Sequence, residues 1–470
     1  MPVATGWPPV WNDVVAKGIF SRGSASSPPF QVLRYNLEII SFKLRQHLGR
    51  IIMGHLFDRF SGKTAALAGM GLLITLLALP LLQPAWGANA SSRVVAVGDV
   101  HGDLDALVSI LQEAGIIDDQ RRWSGGNATL VQTGDILDRG VKDRQVMDLL
   151  MELEKQASKG GGRLVVLLGN HEMMNIMGDL RYVAPEVYSS FVDEKSEQRR
   201  QKAYQDYVKL IKQRARVLGK ETSITPEFER QWMGEHPPGF LEYRKALEPK
   251  GKYGRWLRER PAIVQIADTI FLHGGIHPSL ASLDVKELNQ RIKNEIQAFD
   301  TYTEYMVQEK LILSFFTMNE IVSAAQAEVE RREAAGGRNE DRQLTQFLNF
   351  GSWLSTHPDG PLWFRGFAQW SEEEGARQLP QLLKAYEAKR FVVGHTIRSL
   401  LKTLGGGTPQ LPVQIQMRFQ GKIFLIDTGM LSSFYRGGQA SALEIQDGKF
   451  TAIYLDGRKE LGDRPEERTE

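Results

Sequence analysis

Between Gly98 and Glu172 the chain repeats one device three times: a short apolar run stops at glycine and is followed at once by aspartate, asparagine or histidine. The motifs are GDVHGD at Gly98–Asp103, GDILDRG at Gly134–Gly140 and GNHE at Gly169–Glu172, preceded by VVAV, TLVQT and RLVVLL. Runs this short, rich in β-branched residues and closed by glycine, are the pattern of buried strands feeding loops. Between them, Leu104, Leu107, Val108 and Leu111 are spaced for one face of a helix over Asp103–Ala114, and Val146–Leu153 supplies a second helix. Gly160–Gly162 then turns the chain back. Strand, helix, strand, helix, strand predicts two βαβ units in tandem, and so an α/β fold. Open α/β sheets place their sites at the carboxyl edge, where Asp99, His101, Asp135 and Asn170 are expected to converge.

Two further histidines have the same setting. His273 follows the run Thr269–Leu272 in FLHGG, and His395 follows Phe391–Val393 in VVGHT. One such loop alone reads best as a tight turn; five in order, supplying Asp99, His101, Asp135, Asn170, His273 and His395, point to a metal centre. Two divalent ions about 3.5–4 Å apart need one bridging carboxylate and hard or borderline ligands at their other positions. Asp135 is the natural bridge, with Asp99 and His101 completing one shell and Asn170, His273 and His395 the other. Hydroxide held by such a pair is the expected nucleophile. A phosphoryl group also needs fixed positive charge and an acid for its leaving oxygen. Arg139 can present a bidentate fork to phosphate, and His171 can act as general acid with Asp138 orienting its ring.

In order, GDVHGD, GDILDRG, GNHE, FLHGG and VVGHT resemble the signature of the metal-dependent phosphoprotein phosphatases within the calcineurin-like metallophosphoesterases. The longer run GNHEMMNIMGDLRYV at Gly169–Val183 looks like the branch called Shewanella-like protein phosphatases, as do YGRWLRERP at Tyr253–Pro261, PLWFRG at Pro361–Gly366 and IDTGM at Ile426–Met430. The resemblance covers about Val94 to Leu455. It implies a metallophosphoesterase β-sandwich flanked by helices, two divalent ions (Mn, Fe or Zn), and Arg365 as a second phosphate-binding arginine. It implies a phosphorylated protein or peptide as substrate, with phosphotyrosine preferred by several members. No SAPNYC-like segment follows His395, which departs from the eukaryotic Ser/Thr phosphatases. Hydrolysis of small phosphoesters or dinucleoside polyphosphates is the alternative activity, because such a centre does not choose its leaving group. A phosphate-binding pseudophosphatase is the non-enzymatic alternative.

Composition excludes several classes. There is no cysteine among the 470 residues, so disulfides, zinc–thiolate sites and a cysteine nucleophile are out. A formal net charge of +2 gives no overall basic field, and no nucleic-acid partner is expected. Residues 1–52 read as a poorly ordered extension. Residues 53–90 read as a signal peptide: Arg59 and Lys63 precede the apolar run Ala65–Leu82, and Ala88 and Ala90 form an A-x-A cleavage pattern. A periplasmic or secreted location follows, with membrane attachment through 65–82 or a bipartite organellar address as alternatives. The catalytic unit is expected over 91–456, with a helical insert at about 184–260 and a charged tail at 457–470. Within the insert, Glu194–Leu218 has the composition of a solvated helix with one packed face. Asp179, Arg181 and Tyr182 follow GNHE closely enough to line the substrate side or to form a structural ion pair. The aromatic residues Trp353, Trp363, Phe364, Phe367 and Trp370 around Arg365 could wall a phosphotyrosine pocket or pack as a hydrophobic wall. Val413–Phe419, Lys422–Asp427, Ala442–Gln446 and Thr451–Leu455 are predicted as one final antiparallel sheet.

Overall fold

The three glycine-ended runs form parallel strands β1 (Val94–Val97), β2 (Thr129–Gln132) and β3 (Arg163–Val166), with Val95 level with Leu130 and Leu130 with Leu164. The computed structural model describes residues 93–219, 221–336, 342–400 and 411–462. The stretches expected to form a signal peptide and the extension before it, residues 401–410 and the last eight residues lie outside them. Between β1 and β2 runs the helix Leu104–Glu113, capped by the Asp103 carboxylate, which accepts from the Ala106 amide; between β2 and β3 runs Asp143–Lys159. These are the two βαβ units.

A second parallel triplet is made by β5 (Thr269–Leu272), β6 (Arg390–Val393) and β8 (Ile423–Leu425), edged by antiparallel β4 (Ile263–Ile266) and β7 (Gln416–Arg418). The first sheet is completed by β9 (Ser441–Gln446), β10 (Lys449–Tyr454) and β11 (Gly457–Glu460), in the order β11-β10-β9-β1-β2-β3. Alternate residues of the two sheets interdigitate: Val94, Ala96, Val131 and Val165 meet Phe271, Val392 and Phe424 in one buried cluster. The other face of β1 is buried too, with Val95 and Val97 at 0 % exposure, because helices cover it. This is a β-sandwich flanked by helices.

The sandwich corrects two sequence expectations. The late strands do not share a sheet: β7 and β8 join the second, whereas β9 and β10 join the first, with β9 antiparallel to β1. Strand pattern alone does not select a partner more than 300 residues away, and β1 needed one on its open edge. The charged tail also begins later than residue 457, because Gly457–Glu460 pairs with β10 as an exposed edge strand.

The insert between the GNHE motif and β4 is helical throughout: Pro185–Ser189, Ser196–Val217, Pro226–Glu235, Phe240–Leu247 and Lys252–Arg258. Its long helix does pack one face, with Ala203 and Tyr204 against Trp232. The YGRWLRERP run is where the insert is riveted to the rest. Arg258 makes a two-pronged ion pair with Asp300, and Trp256 and Arg260 both donate to Glu154. Among the described residues no helix is long and apolar enough to cross a membrane.

Candidate metal centre

Both parallel triplets deliver their carboxyl ends to one place. Asp99, Asp135 and Asn170 leave β1, β2 and β3; His273, His395 and Asp427 leave β5, β6 and β8. The loops clasp one another through backbone bonds: the Val100 and His101 amides donate to the Asp135 carbonyl at 2.9 and 3.0 Å. The turns are tight enough that His101, Asp135, Asp138, Arg139 and His395 all have positive φ, between 48° and 71°. Such left-handed geometry is costly for non-glycine residues and concentrates at functional sites. Glycines make the carboxylates' room: a Cβ on Gly169 would overlap Asp135 Oδ1, and one on Gly394 would overlap Asp99 Oδ1.

The structure brings together all six expected ligand residues, each less than 9 % exposed. Each carboxylate is held by one oxygen and offers the other. Asp135 Oδ1 accepts from the His171 amide at 3.0 Å, leaving Oδ2 3.2 Å from His273 Nε2 and 3.8 Å from Nε2 of both His101 and His171. Asp99 Oδ1 accepts from the His395 amide at 2.9 Å, leaving Oδ2 3.8 Å from His101 Nε2. His273 Nε2 lies 2.9 Å from Asn170 Oδ1 and 3.0 Å from His395 Nδ1.

Whether these residues suit divalent ions is decided by the far side of each ring. His101 Nδ1 faces the Leu137 carbonyl at 2.9 Å, His273 Nδ1 the Thr133 carbonyl at 3.0 Å, and His395 Nε2 the Trp363 carbonyl at 3.2 Å. A carbonyl only accepts, so each ring carries an N–H there and turns its other nitrogen to the centre, the arrangement a metal-binding histidine takes. Two groups of three donors, His101/Asp135/His171 and Asp135/His273/His395, lie within 4.8 Å of one another, with Asp135 common to both. Two buried carboxylates ringed by inward imidazole nitrogens need a counter-charge, and the residues fit a cation.

Electrostatics agree with that placement. Burial would lower His273, but the Asp135 and Asp99 carboxylates beside it raise it to about 9, so its inward Nε2 carries the proton that a bound cation would displace. His101 and His395 are pushed well below the usual imidazole range by burial first and then by Arg139 and Arg365 respectively, so both are neutral, as ligands must be. Asp99 is raised by burial and by the Asp427 carboxylate, the signature of packed anions without a counter-charge.

His171 differs from the other three rings. Its Nδ1 faces the Asp138 carboxylate at 2.5 Å, a partner that stabilises an imidazolium. The other Asp138 oxygen accepts from Asn175 Nδ2 at 2.8 Å, and Asn175 Oδ1 accepts from the Tyr243 hydroxyl at 2.6 Å. Arg139 contacts His101 Nε2 and the Tyr435 hydroxyl. Arg365 donates to the His395 carbonyl and to Thr396 Oγ1, both at 3.0 Å. The two guanidiniums border the histidines from different elements.

Sequence reasoning missed five supporting residues. Glu172, the last letter of GNHE, accepts backbone N–H bonds from Gly169, Asp135, Ile136 and Leu137 at 2.7–3.2 Å and so shapes the loop that presents Asp135. Asp143 accepts from the Asp138 amide at 3.0 Å. Asn175, Tyr243 and Tyr435 complete the set. Glu172 had a signal, a glutamate three residues into a helix that starts at glycine; Tyr243 and Tyr435 had none, since their partners are remote in the chain. Of the aromatic cluster around Arg365, Phe364, Phe367 and Trp370 pack on one another and on Phe391 as a hydrophobic wall. Only Trp363 turns towards the centre, 6.1 Å from the His395 ring. Asp179 and Arg181 form an ion pair, whereas Tyr182 stands at the site, 5.3 Å from His171 ring to ring.

Aspartates, an asparagine and histidines gathered at the carboxyl ends of two facing parallel triplets, with arginines beside them, define a metal-dependent phosphoesterase. The model of the calcineurin-like phosphoesterases matches residues 92–399, and the chain belongs to that family. Among curated proteins it is 25 % identical over 370 residues to Shewanella-like protein phosphatase 1 of Plasmodium berghei (strain Anka), covering 78 % of this chain and 75 % of that one. It is 30 % identical over 215 residues to Shewanella-like protein phosphatase 2 of Arabidopsis thaliana, covering 44 % and 52 % respectively. Among solved structures, a single-residue variant of a cold-active protein tyrosine phosphatase superposes with a TM-score of 0.50 at 23 % identity, covering 79 % of this chain and 81 % of that one. That likeness is one of fold.

Proposed function

We propose that this phosphoesterase removes phosphate from phosphorylated proteins or peptides. The observation that carries the reading is the set of three histidines that spend their N–H on backbone carbonyls around Asp99 and Asp135, opposite a fourth, His171, that spends its own on a carboxylate. The first group is built to hold cations, the fourth to give up a proton. Asp99, His101, Asp135, Asn170, His273 and His395 would hold two divalent ions, manganese, iron or zinc. Such ions supply positive charge to phosphoryl oxygens and acidify water. Arg139 and Arg365 bind the phosphoryl oxygens by paired N–H bonds. His171, oriented by Asp138, gives its Nε2 proton to the departing ester oxygen and returns to the neutral form. The protein-phosphatase names of the relatives from Plasmodium berghei and Arabidopsis thaliana support a phosphoprotein substrate. Export is part of the reading, supported by the apolar run Ala65–Leu82 and the Ala88-x-Ala90 pattern.

The experiment is turnover of matched phosphotyrosine and phosphoserine peptides and of a dinucleoside polyphosphate, after chelation and after readdition of manganese, iron or zinc. Metal-dependent cleavage of the peptides is expected. Turnover of the dinucleotide alone would keep the site and remove the protein-phosphatase reading; silence with every metal would favour a phosphate-binding pseudophosphatase.

A further inference from the structure

The rings left open to solvent at this site are not those of the Arg365 segment. They are Tyr182, 44 % exposed, and Phe434, 58 % exposed. Both lie against Arg139, whose guanidinium carbon is 5.7 Å from the Tyr182 ring centre and 5.6 Å from that of Phe434. They come from segments some 250 residues apart, and each is fixed by its surroundings. The Tyr182 carbonyl accepts from the Arg139 amide at 2.9 Å. Phe434 sits edge-on to Tyr435 with centroids 4.9 Å apart, and Tyr435 is bonded to Arg139. Two exposed rings from remote segments that meet at one guanidinium of the site form a joint apolar rim, the kind of patch that marks a ligand-binding surface.

The position of the acid supplies one. His171 must reach the leaving oxygen, so the leaving group departs on the His171 side, and the ring found there is Tyr182, 5.3 Å from His171. In an aryl phosphate the leaving oxygen is attached directly to a flat ring. In an alkyl phosphate such as phosphoserine a single methylene stands in that place and leaves the aromatic surface wet. We propose that Tyr182 and Phe434 are specificity-determining residues that receive the leaving-group ring of an aryl phosphate and so favour phosphotyrosine over phosphoserine and phosphothreonine. The proposal rests on the phosphoprotein reading for its peptide but on the rim alone for its preference. Offset or edge-on ring contacts, together with the area they cover, supply the preference.

The test compares the full-length, metal-supplied protein with its Tyr182→Ala, Phe434→Ala and double variants on one peptide sequence carrying either phosphotyrosine or phosphoserine. The readout is the ratio of the two kcat/KM values. The double variant is expected to lower that ratio about tenfold, mainly through KM for phosphotyrosine, whereas Tyr182→Phe, which keeps the ring, should preserve it. Equal losses on both peptides, or no change in the ratio, would overturn the proposal. Phenyl phosphate against ethyl phosphate repeats the comparison without a peptide. If the unaltered protein cleaves neither phosphopeptide, the phosphoprotein reading fails. The aryl preference then stands or falls on whether the variants shift this second ratio.

Discussion

At the scale of single residues, what separates the four histidines of the centre is the group each ring turns its back on. Three face carbonyls and one faces Asp138, and that difference predicts different losses. His171→Ala should retain the metals, measured after desalting, and should slow turnover by roughly 100–10,000-fold, the usual contribution of a positioned acid. The loss should be smallest for p-nitrophenyl phosphate, whose leaving group needs no proton, and largest for an alkyl ester; an equal loss on both would remove His171 from the acid role. Most of this residue set was legible in the sequence. A polar residue beside glycine at the end of a short apolar run reads as a strand-end residue, and five such loops in order let Asp99, Asp135, Asn170, His273 and His395 be placed at one edge without a structure. Phe434 could not be told apart from core rings such as Phe367, and for Tyr182 the sequence left lining the site and a structural role both open, because exposure depends on which surfaces meet.

At the scale of elements, the helical insert reaches the chemistry instead of merely decorating it. Tyr243, in the helix Phe240–Leu247, is wholly buried and bonds Asn175, which bonds Asp138, which bonds His171. Tyr243→Phe keeps the ring packing and removes the hydroxyl. An expected weakening of about 1 kcal/mol in the position of the acid corresponds to a fall in kcat of about fivefold. KM should not move, and the loss should shrink when His171 is already absent; additive losses in the double variant would show that the relay is only structural. No sequence pattern announces this contact, since it joins residues 68 apart through one hydroxyl. A second device holds the insert from the other side. Glu328, in the helix Met318–Ala334, is only 2 % exposed and pairs with Arg214 of the insert and with Arg331 and Arg332 of its own helix. Burial would raise its carboxyl, but hydrogen bonds from the three arginines hold it at about 2. Its folded value lies below the unfolded one, so its contribution to stability is complete above about pH 4.5 and is lost as the pH falls towards 2. The difference in denaturation midpoint between the protein and its Glu328→Gln variant should therefore shrink between pH 5 and pH 3. A constant difference would mean the arginines do not act on a charged Glu328.

At the scale of the whole molecule, the centre joins two sheets whose shared core is built from apolar side chains. Ions bound between β1–β2–β3 and β5–β6–β8 would stabilise the folded state in proportion to occupancy, by about 2.7 kcal/mol at one hundred times the dissociation constant. Chelation should lower the thermal midpoint by a few degrees, given the shallow response of large domains, and readdition should restore it. An unchanged midpoint, with metal removal verified by elemental measurement, would argue against ions spanning the sheets. The two βαβ units were legible because their strands are local in sequence and carry strong glycine punctuation, whereas the sandwich followed only from the resemblance of the motifs to a family. The assignment of β9 and β10 to the first sheet was not legible, because β9 pairs with β1, more than 300 residues earlier, and β10 is carried with it.

That pairing also sets an order in time. β1 opens the catalytic unit, yet its second neighbour, β9, begins only at Ser441, and Gly98 at its tip rests against Ile426 and Asp427, where an added Cβ would come within 2.6 Å of the Ile426 carbonyl oxygen. A chain made amino terminus first therefore lacks the second neighbour of β1 until residues 441–446 have been synthesised. The first sheet can close around β1 only after that point.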